Sequence, residues 1–219
     1  MITSRDNERL KLVRKLHERR WREKLGLFFV EGEDAVAAAT AAPVDLLHAG
    51  DDVEPKLLAE VATAGHPPRV IGVYRRADLP AWEERDATLA LWRLSDPGNV
   101  GTLIRTADAF AAAVALSDGC ADPTSPKALR ASAGSIWRVP LGTWEQIGGR
   151  RVALEAHGGV PLSELELSGC VTFLLGAERE GLPAELERDV GATIPIAGAE
   201  SLNVAATGAI ALYELARRR

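Results

Sequence analysis

The chain has 219 residues, 47% of them hydrophobic and 26% charged, with a formal net charge of −5. That length buries a real core as one large or two small domains, and the balance is ordinary for a soluble globular fold. No apolar run reaches the about 18 residues of a membrane span, and the first residues are charged rather than a secretion signal, so a cytoplasmic protein is expected.

The N-terminal segment is basic. Residues 1–24 hold nine basic side chains against four acidic ones, +5 here against −10 in the remainder. Leu10, Val13 and Leu16 supply a packing stripe that leaves Arg9, Arg14 and Arg20 outward. With Arg5 these are candidates for contacts to phosphates of a nucleic acid, although a solvated basic helix face reads as well. A short strand at 27–30, an alanine-rich helix at 34–42 and a strand at 70–73 follow. Residues 75–87 are charged and aperiodic and read as a linker, giving an N-terminal domain at 1–74 and a C-terminal one at 88–219. From Thr88 on, strands (88–94, 114–117, 136–140, 151–156, 171–175, 193–196) alternate with helices (101–113, 126–134, 183–190, 202–217). Such alternation predicts an α/β fold with a largely parallel sheet and helices on both faces.

Three turns stand out. Residues 96–110 read DPGNVGTLIRTADAF, with a Pro97-Gly98 turn after a strand, then Asn99, then a helix carrying Arg105. Turns between a strand and a helix are where α/β proteins place ligands. Leu103, Ala107, Phe110 and Val114 follow helical spacing toward a core, while Gly101, Arg105, Asp108 and Ala112 share a face with little bulk. Arg105 there meets a ligand or partner, or forms an i,i+3 ion pair with Asp108. Residues 173–183 (FLLGAEREGLP) place Gly176, Glu178 and Gly181 after an apolar run. Residues 194–214 (IPIAGAESLNVAATGAIALYE) pass a Gly198 turn to Ser201, Leu202 and Asn203 at the head of a long helix. Ser201 also suits the N-cap of that helix. Arg217, Arg218 and Arg219 close it, where cations suit the helix dipole.

In this order and at these separations the three segments resemble the signature motifs of the SpoU (TrmH-type) RNA methyltransferases of the SPOUT superfamily. Residues 117–140 resemble the family's connecting region, and the N-terminal 35 residues its substrate-binding domain. The resemblance implies a deep trefoil knot, S-adenosylmethionine as cofactor, and a homodimer whose site is completed across the interface. It implies Asn99, Arg105, Glu178, Ser201 and Asn203 as the catalytic set, and cofactor contacts at Leu174, Gly176, Ile194, Ile196 and Leu202, largely through backbone. Ala205 and Ala206 stand where many relatives carry Ser-Val, and the N-terminal block is rather short for the family.

The implied reaction is methyl transfer to a ribose 2′-hydroxyl of RNA, with ribosomal RNA favoured over transfer RNA. The donor is already activated, so the protein mainly aligns acceptor oxygen, methyl carbon and sulfur. No metal is needed; two distant cysteines and four scattered histidines have no ligand-like spacing, and no metal site is expected. The family commonly assigns the proton-accepting role to the arginine at Arg105, yet a guanidinium has only donors, so positioning of phosphate and stabilisation of the alkoxide is the other reading. GxGxxG, GxxxxGK[ST] and GxSxG are all missing from the sequence. The alternative is a catalytically silent RNA-binding or ribosome-assembly protein on the same fold. Joint presence of the five motif residues favours the enzyme.

Overall fold

A computed structural model, described over residues 1–218, divides the strands between two sheets; Arg219 lies outside the described residues. The first sheet holds β1 (Leu27–Glu31), β3 (Val70–Arg75) and β2 (Asp45–His48), antiparallel with β3 central. Helices α1 (Glu8–Lys15) and α4 (Pro55–Val61) cover one face. There Leu10, Val13, Leu16, Leu57, Leu58 and Val61 pack with Phe29, Leu47, Ile71 and Val73. Because strand side chains alternate, Phe28, Val30 and Tyr74 point the other way, into the core of the second sheet. Phe28 and Tyr74 meet Trp137 with ring centroids 5.5 and 4.9 Å apart.

The basic segment is two helices rather than one: α1 stops and α2 (Arg19–Leu25) starts afresh. The Arg22 guanidinium donates to the carbonyls of Leu16 and His17, each at 2.8 Å. Carbonyls that would continue α1 are thereby satisfied by a side chain. The alanine-rich helix is short, α3 (Glu33–Ala37). Residues 76–86 lie against the C-terminal sheet: the Trp82 ring covers Gly142, where a Cβ would stand 2.2 Å from it.

The second sheet has seven strands in the order β6 (Leu141–Thr143), β5 (Ala113–Leu116), β4 (Ala87–Leu91), β9 (Val171–Leu175), β7 (Arg150–Glu155), β10 (Val190–Thr193), β8 (Val160–Pro161), all pairs parallel. The late strands insert between earlier ones, β9 between β4 and β7, β10 between β7 and β8. One face carries large residues (Leu89, Leu91, Val114, Phe173, Leu175) under α5 (Pro97–Ala109), α6 (Pro126–Ser132) and α7 (Val204–Ala216). The opposite face carries alanines (Ala90, Ala115, Ala153) and Leu174 under Trp82, Trp144, Leu182 and Leu186. This second layer is thin, a 3₁₀ turn at Trp144–Gln146 and loops.

Three further elements depart from the sequence reading. The helix expected at 183–190 is absent, because Arg188 donates to the carbonyls of Ala184 (2.9 Å) and Pro183 (3.4 Å), which a helix would have used. The strand expected at 193–196 lies at Val190–Thr193, in register with β7, and leaves Ile194 to Ile196 irregular. Likewise the strand expected near 136–140 is a 3₁₀ turn at Ser135–Trp137, with β6 starting at Leu141. Among the described residues no helix is long and apolar enough to cross a membrane.

Candidate active site

Helix α5 starts at Pro97 because Asp96 caps it, accepting from the amides of Gly98 (2.6 Å) and Asn99 (3.0 Å). Lys127 on α6 pairs with Asp96 at 2.7 Å and, with these amides, holds its carboxyl below the ordinary range. Asn99 is thereby fixed at the helix entrance. Its Nδ2 donates to Glu178 Oε1 at 3.1 Å, and its Oδ1 accepts from Asn203 Nδ2 at 3.2 Å. Asn203 Oδ1 accepts from Ala205 N (2.8 Å) and Ala206 N (3.4 Å), so Asn203, and not Ser201, is the N-cap of α7. Three turns far apart in sequence are thus joined by one chain of side-chain hydrogen bonds. Burial opposes ionisation of Glu178, but the Asn99 amide and nearby backbone N–H groups outweigh it and hold its carboxyl below the usual value. Glu178 is an ionised acceptor at neutral pH.

This chain borders a cavity of about 490 Å³ at the C-terminal ends of β7, β9 and β10. It lies beside the point where the sheet order reverses, the usual ligand position in open α/β sheets. Gly176, Glu178, Ile194, Ile196, Ser201, Leu202 and Asn203 all line it, with Glu155, His157, Leu175, Arg179 and Glu200. Leu174 does not: its side chain is buried among Ala90, Ala115 and Ala153 on the thin face, and its neighbour Leu175 faces the cavity instead. At Gly176 a Cβ would stand 2.3 Å from the Gly181 carbonyl carbon, so the strand end and the following turn meet backbone to backbone. A second cavity of about 690 Å³ shares Ala177, Glu178, Arg179 and Asn203 with the first, and adds Arg93, Ser95, Asp96, Asn99, Gly119 and Glu180.

Arg105 lines neither cavity. Asp108 pairs with Arg138 at 2.5 Å and accepts from the Ser135 hydroxyl at 2.8 Å, so the i,i+3 pair with Arg105 does not form. Among the described residues Arg105 has no hydrogen-bond or ion-pair partner. It stands exposed on the outer face of α5 near Thr102 and Ala109. Helix α7 packs beside α5, with Gly208 against Leu103, and exposes Ile210 (38%) and Tyr213 (60%).

The N-terminal arginines are mostly engaged. Arg9 donates to Asp45 (2.5–3.1 Å) and to the Leu46 carbonyl, Arg5 pairs with Glu60 at 2.5 Å, and Arg14 donates to the Arg5 carbonyl. Arg20 pairs with Glu18 at 2.7 Å and lies 5.7 Å from the Trp21 ring, which Lys15 and Lys24 approach to 5.5 and 5.1 Å. Sequence reasoning passed over Asp96, Lys127 and Arg93. The Asp-Pro dipeptide ahead of a periodic helix is the signal for Asp96; nothing local marks the other two.

Comparison with known proteins adds to this geometry. Residues 86–213 match the SpoU rRNA Methylase family and residues 7–77 the MRM3-like substrate binding domain. The chain is 33% identical over 248 residues to the 23S rRNA (guanosine(2553)-2′-O)-methyltransferase RlmP of Bacillus subtilis, covering 98% of each. It superposes on the AdoMet-bound rRNA methyltransferase from Sinorhizobium meliloti with a TM-score of 0.86 at 30% identity, covering 99% of this chain and 97% of the other. The SpoU methyltransferase AviRb from Streptomyces viridochromogenes, in complex with AdoMet, gives 0.85 at 26% identity, over 97% and 98% of the two chains.

Proposed function

The chain belongs to the SpoU rRNA methylase family, and on that premise we propose that it transfers a methyl group from S-adenosylmethionine to a ribose 2′-hydroxyl of RNA, ribosomal RNA in preference to transfer RNA. The observation that carries this is the Asn203–Asn99–Glu178 hydrogen-bond chain on the wall of the 490 Å³ cavity. The catalytically silent alternative has no feature of the site in its favour.

The cavity suits the cofactor. Its lining includes apolar Leu175, Ile194 and Leu202 and carboxylates at Glu155, Glu178 and Glu200, which offer apolar surface to an aromatic base and acceptors to a cation. Gly176, Ile194, Ile196 and Leu202 would hold it there, with Leu174 limited to its backbone. When bound, S-adenosylmethionine supplies a methyl group on a sulfonium, open to in-line displacement. The protein's own work is then placement. Asn99 and Asn203 fix Glu178, whose carboxylate accepts from the ribose or a cationic group. Ser201 offers a hydroxyl at the cavity wall. Arg105 brings donors only, so its role is to hold phosphate and stabilise the developing alkoxide.

Arg105 reaches an acceptor site through assembly. We read the α5–α7 face, with its unpaired Arg105 and exposed Ile210 and Tyr213, as the contact of a homodimer that completes each site. The same reading carries a trefoil knot in the 88–219 domain, an RNA-gripping domain at 1–74 joined by 75–87, and a cytoplasmic setting. RNA contacts on the first domain centre on Lys15 and Lys24 beside Trp21, since Arg5, Arg9 and Arg20 are engaged by carboxylates and Arg14 by the Arg5 carbonyl.

The test is methyl transfer from labelled S-adenosylmethionine to transcribed 23S rRNA and to unmodified tRNA, with nucleoside mass spectrometry. A 2′-O-methylated nucleoside from rRNA supports the proposal. Lack of both product and cofactor binding promotes the silent RNA-binding protein.

A further inference from the structure

We propose that Arg93 is a substrate-binding residue that grips an RNA phosphate beside the acceptor ribose, an inference that rests on the RNA methyltransferase reading above. Arg93 follows β4 with φ 52°, one of three non-glycine residues at positive φ among the described residues. Glycine or asparagine adopts that backbone at less cost. The conformation is imposed from both sides: the Arg93 amide donates to Ser117 Oγ at 2.9 Å, Trp92 N to the Leu175 carbonyl at 2.8 Å, and Ala121 N to the Leu94 carbonyl at 2.7 Å. The side chain is held by no such bond. It is exposed, and among the described residues its guanidinium has neither a hydrogen bond nor an ion pair. A costly backbone presenting an unpartnered cation points to a ligand outside the chain.

Its surroundings say which ligand. Arg93 lies along Gly119, where a Cβ would stand 3.4 Å from its Nε, and it lines the 690 Å³ cavity with Asn99, Glu178 and Asn203. That lining is polar apart from Ala177 and Gly119, which suits a sugar-phosphate backbone better than the adenosyl group of the cofactor. Of the acidic groups there, Asp96 is paired with Lys127 and Glu178 is bonded to Asn99; Glu180 lines the same cavity together with Arg179. The loop under Arg93 continues to the basic helix α2: Arg19 donates to the Cys120 carbonyl at 3.0 Å and Arg22 pairs with Asp122 at 2.7 Å. The loop against Arg93 is thus tied to the helix that carries Trp21 and its cations.

Arg93→Gly removes the cation and relieves the backbone together; Arg93→Lys keeps the charge. Transcribed 23S rRNA is the probe, with KM, kcat, filter-binding affinity across a salt series, and cofactor affinity as readouts. The glycine variant is expected to melt no lower than the parent, to raise KM for rRNA about tenfold with kcat nearly unchanged, and to reduce the salt slope of RNA binding by about 0.7–0.9, one phosphate contact. The lysine variant is expected to recover most of the loss. An unchanged KM and slope, a loss of cofactor affinity, or a lower Tm with no lysine rescue would each overturn the proposal. Failure of the parent to methylate any RNA counts against the function reading instead, and the salt slopes of parent and variant still decide the Arg93 contact.

Discussion

Asn203 donates its side-chain amide to Asn99 Oδ1 at 3.2 Å while its own Oδ1 accepts from the Ala205 amide at 2.8 Å. One end caps a helix and the other end ties two motifs together, and substitution separates these duties. Asn203→Asp keeps the cap, since aspartate is as good there, and loses the donor. Its expected Tm is close to the parent's while methyl transfer falls about tenfold, the worth of one hydrogen bond of roughly 1.4 kcal/mol. Asn203→Ala loses a further ~1 kcal/mol of stability. Full activity in Asn203→Asp would remove the amide from the mechanism.

Arg105 is exposed and unpaired within the described chain, so stability does not depend on it. Arg105→Ala is expected to unfold within about 0.5 kcal/mol of the parent while methyl transfer drops by about 10² or more, the cost of losing a donor to developing negative charge. Denaturant titration beside single-turnover assays checks both; a stability loss of similar size to the activity loss would assign it a packing role.

The Arg22–Asp122 pair joins the N-terminal helix to the catalytic domain at 2.7 Å with both side chains 3% exposed. Burial works against ionised Asp122, but the Thr124 hydroxyl and amide, the Arg76 charge and the Arg22 bond outweigh it and lower its pKa. On acidification the unfolded chain therefore takes up the proton first, near pH 3.9. The pair's stabilisation is complete above about pH 5 and is lost as pH falls through the lower folded value. Urea midpoints should hold from pH 7 to 5 and fall below about 4, less steeply in Asp122→Asn. Asp122→Ala strands Arg22 and should cost about 3–5 kcal/mol.

Two glycines make opposite predictions. A Cβ on Gly101 would lie 2.2 Å from the Ala128 carbonyl oxygen, where α5 crosses α6. Gly101→Ala should destabilise by about 1–3 kcal/mol with cofactor affinity retained. A Cβ on Gly176 would lie 2.3 Å from Gly181 at the cavity floor. Gly176→Ala should weaken S-adenosylmethionine binding by about tenfold or more, read by calorimetry; equal affinity would move the cofactor elsewhere.

The exposed apolar side chains of α7 give the assembly prediction. Ile210→Asp with Tyr213→Asp should turn a dimer into a monomer in sedimentation, because a buried charge without a partner is costly. A monomeric parent would dismiss the α5–α7 contact.

The strand and helix alternation from Thr88 onward and the three motif turns were legible in the chain through local spacing, but the helix expected at 101–113 starts at Pro97, where the Asp96 cap turns the expected Pro-Gly turn into its first residues. Ends that depend on distant partners were not. The helix expected after Pro183 gave way to the Arg188 guanidinium, and α1 was cut short by Arg22, since carbonyls satisfied by a side chain need no next turn. The sequence alone supplied the residue types of the site. Only the tertiary structure decided that β9 inserts beside β4 and so brings Glu178 to Asn99, that Arg9 is committed to Asp45, and that Arg105 and Arg93 have no partner among the described residues. Pairings across tens of residues are set by which strand edge and which charge are left available when the sheet closes, and no local pattern records that.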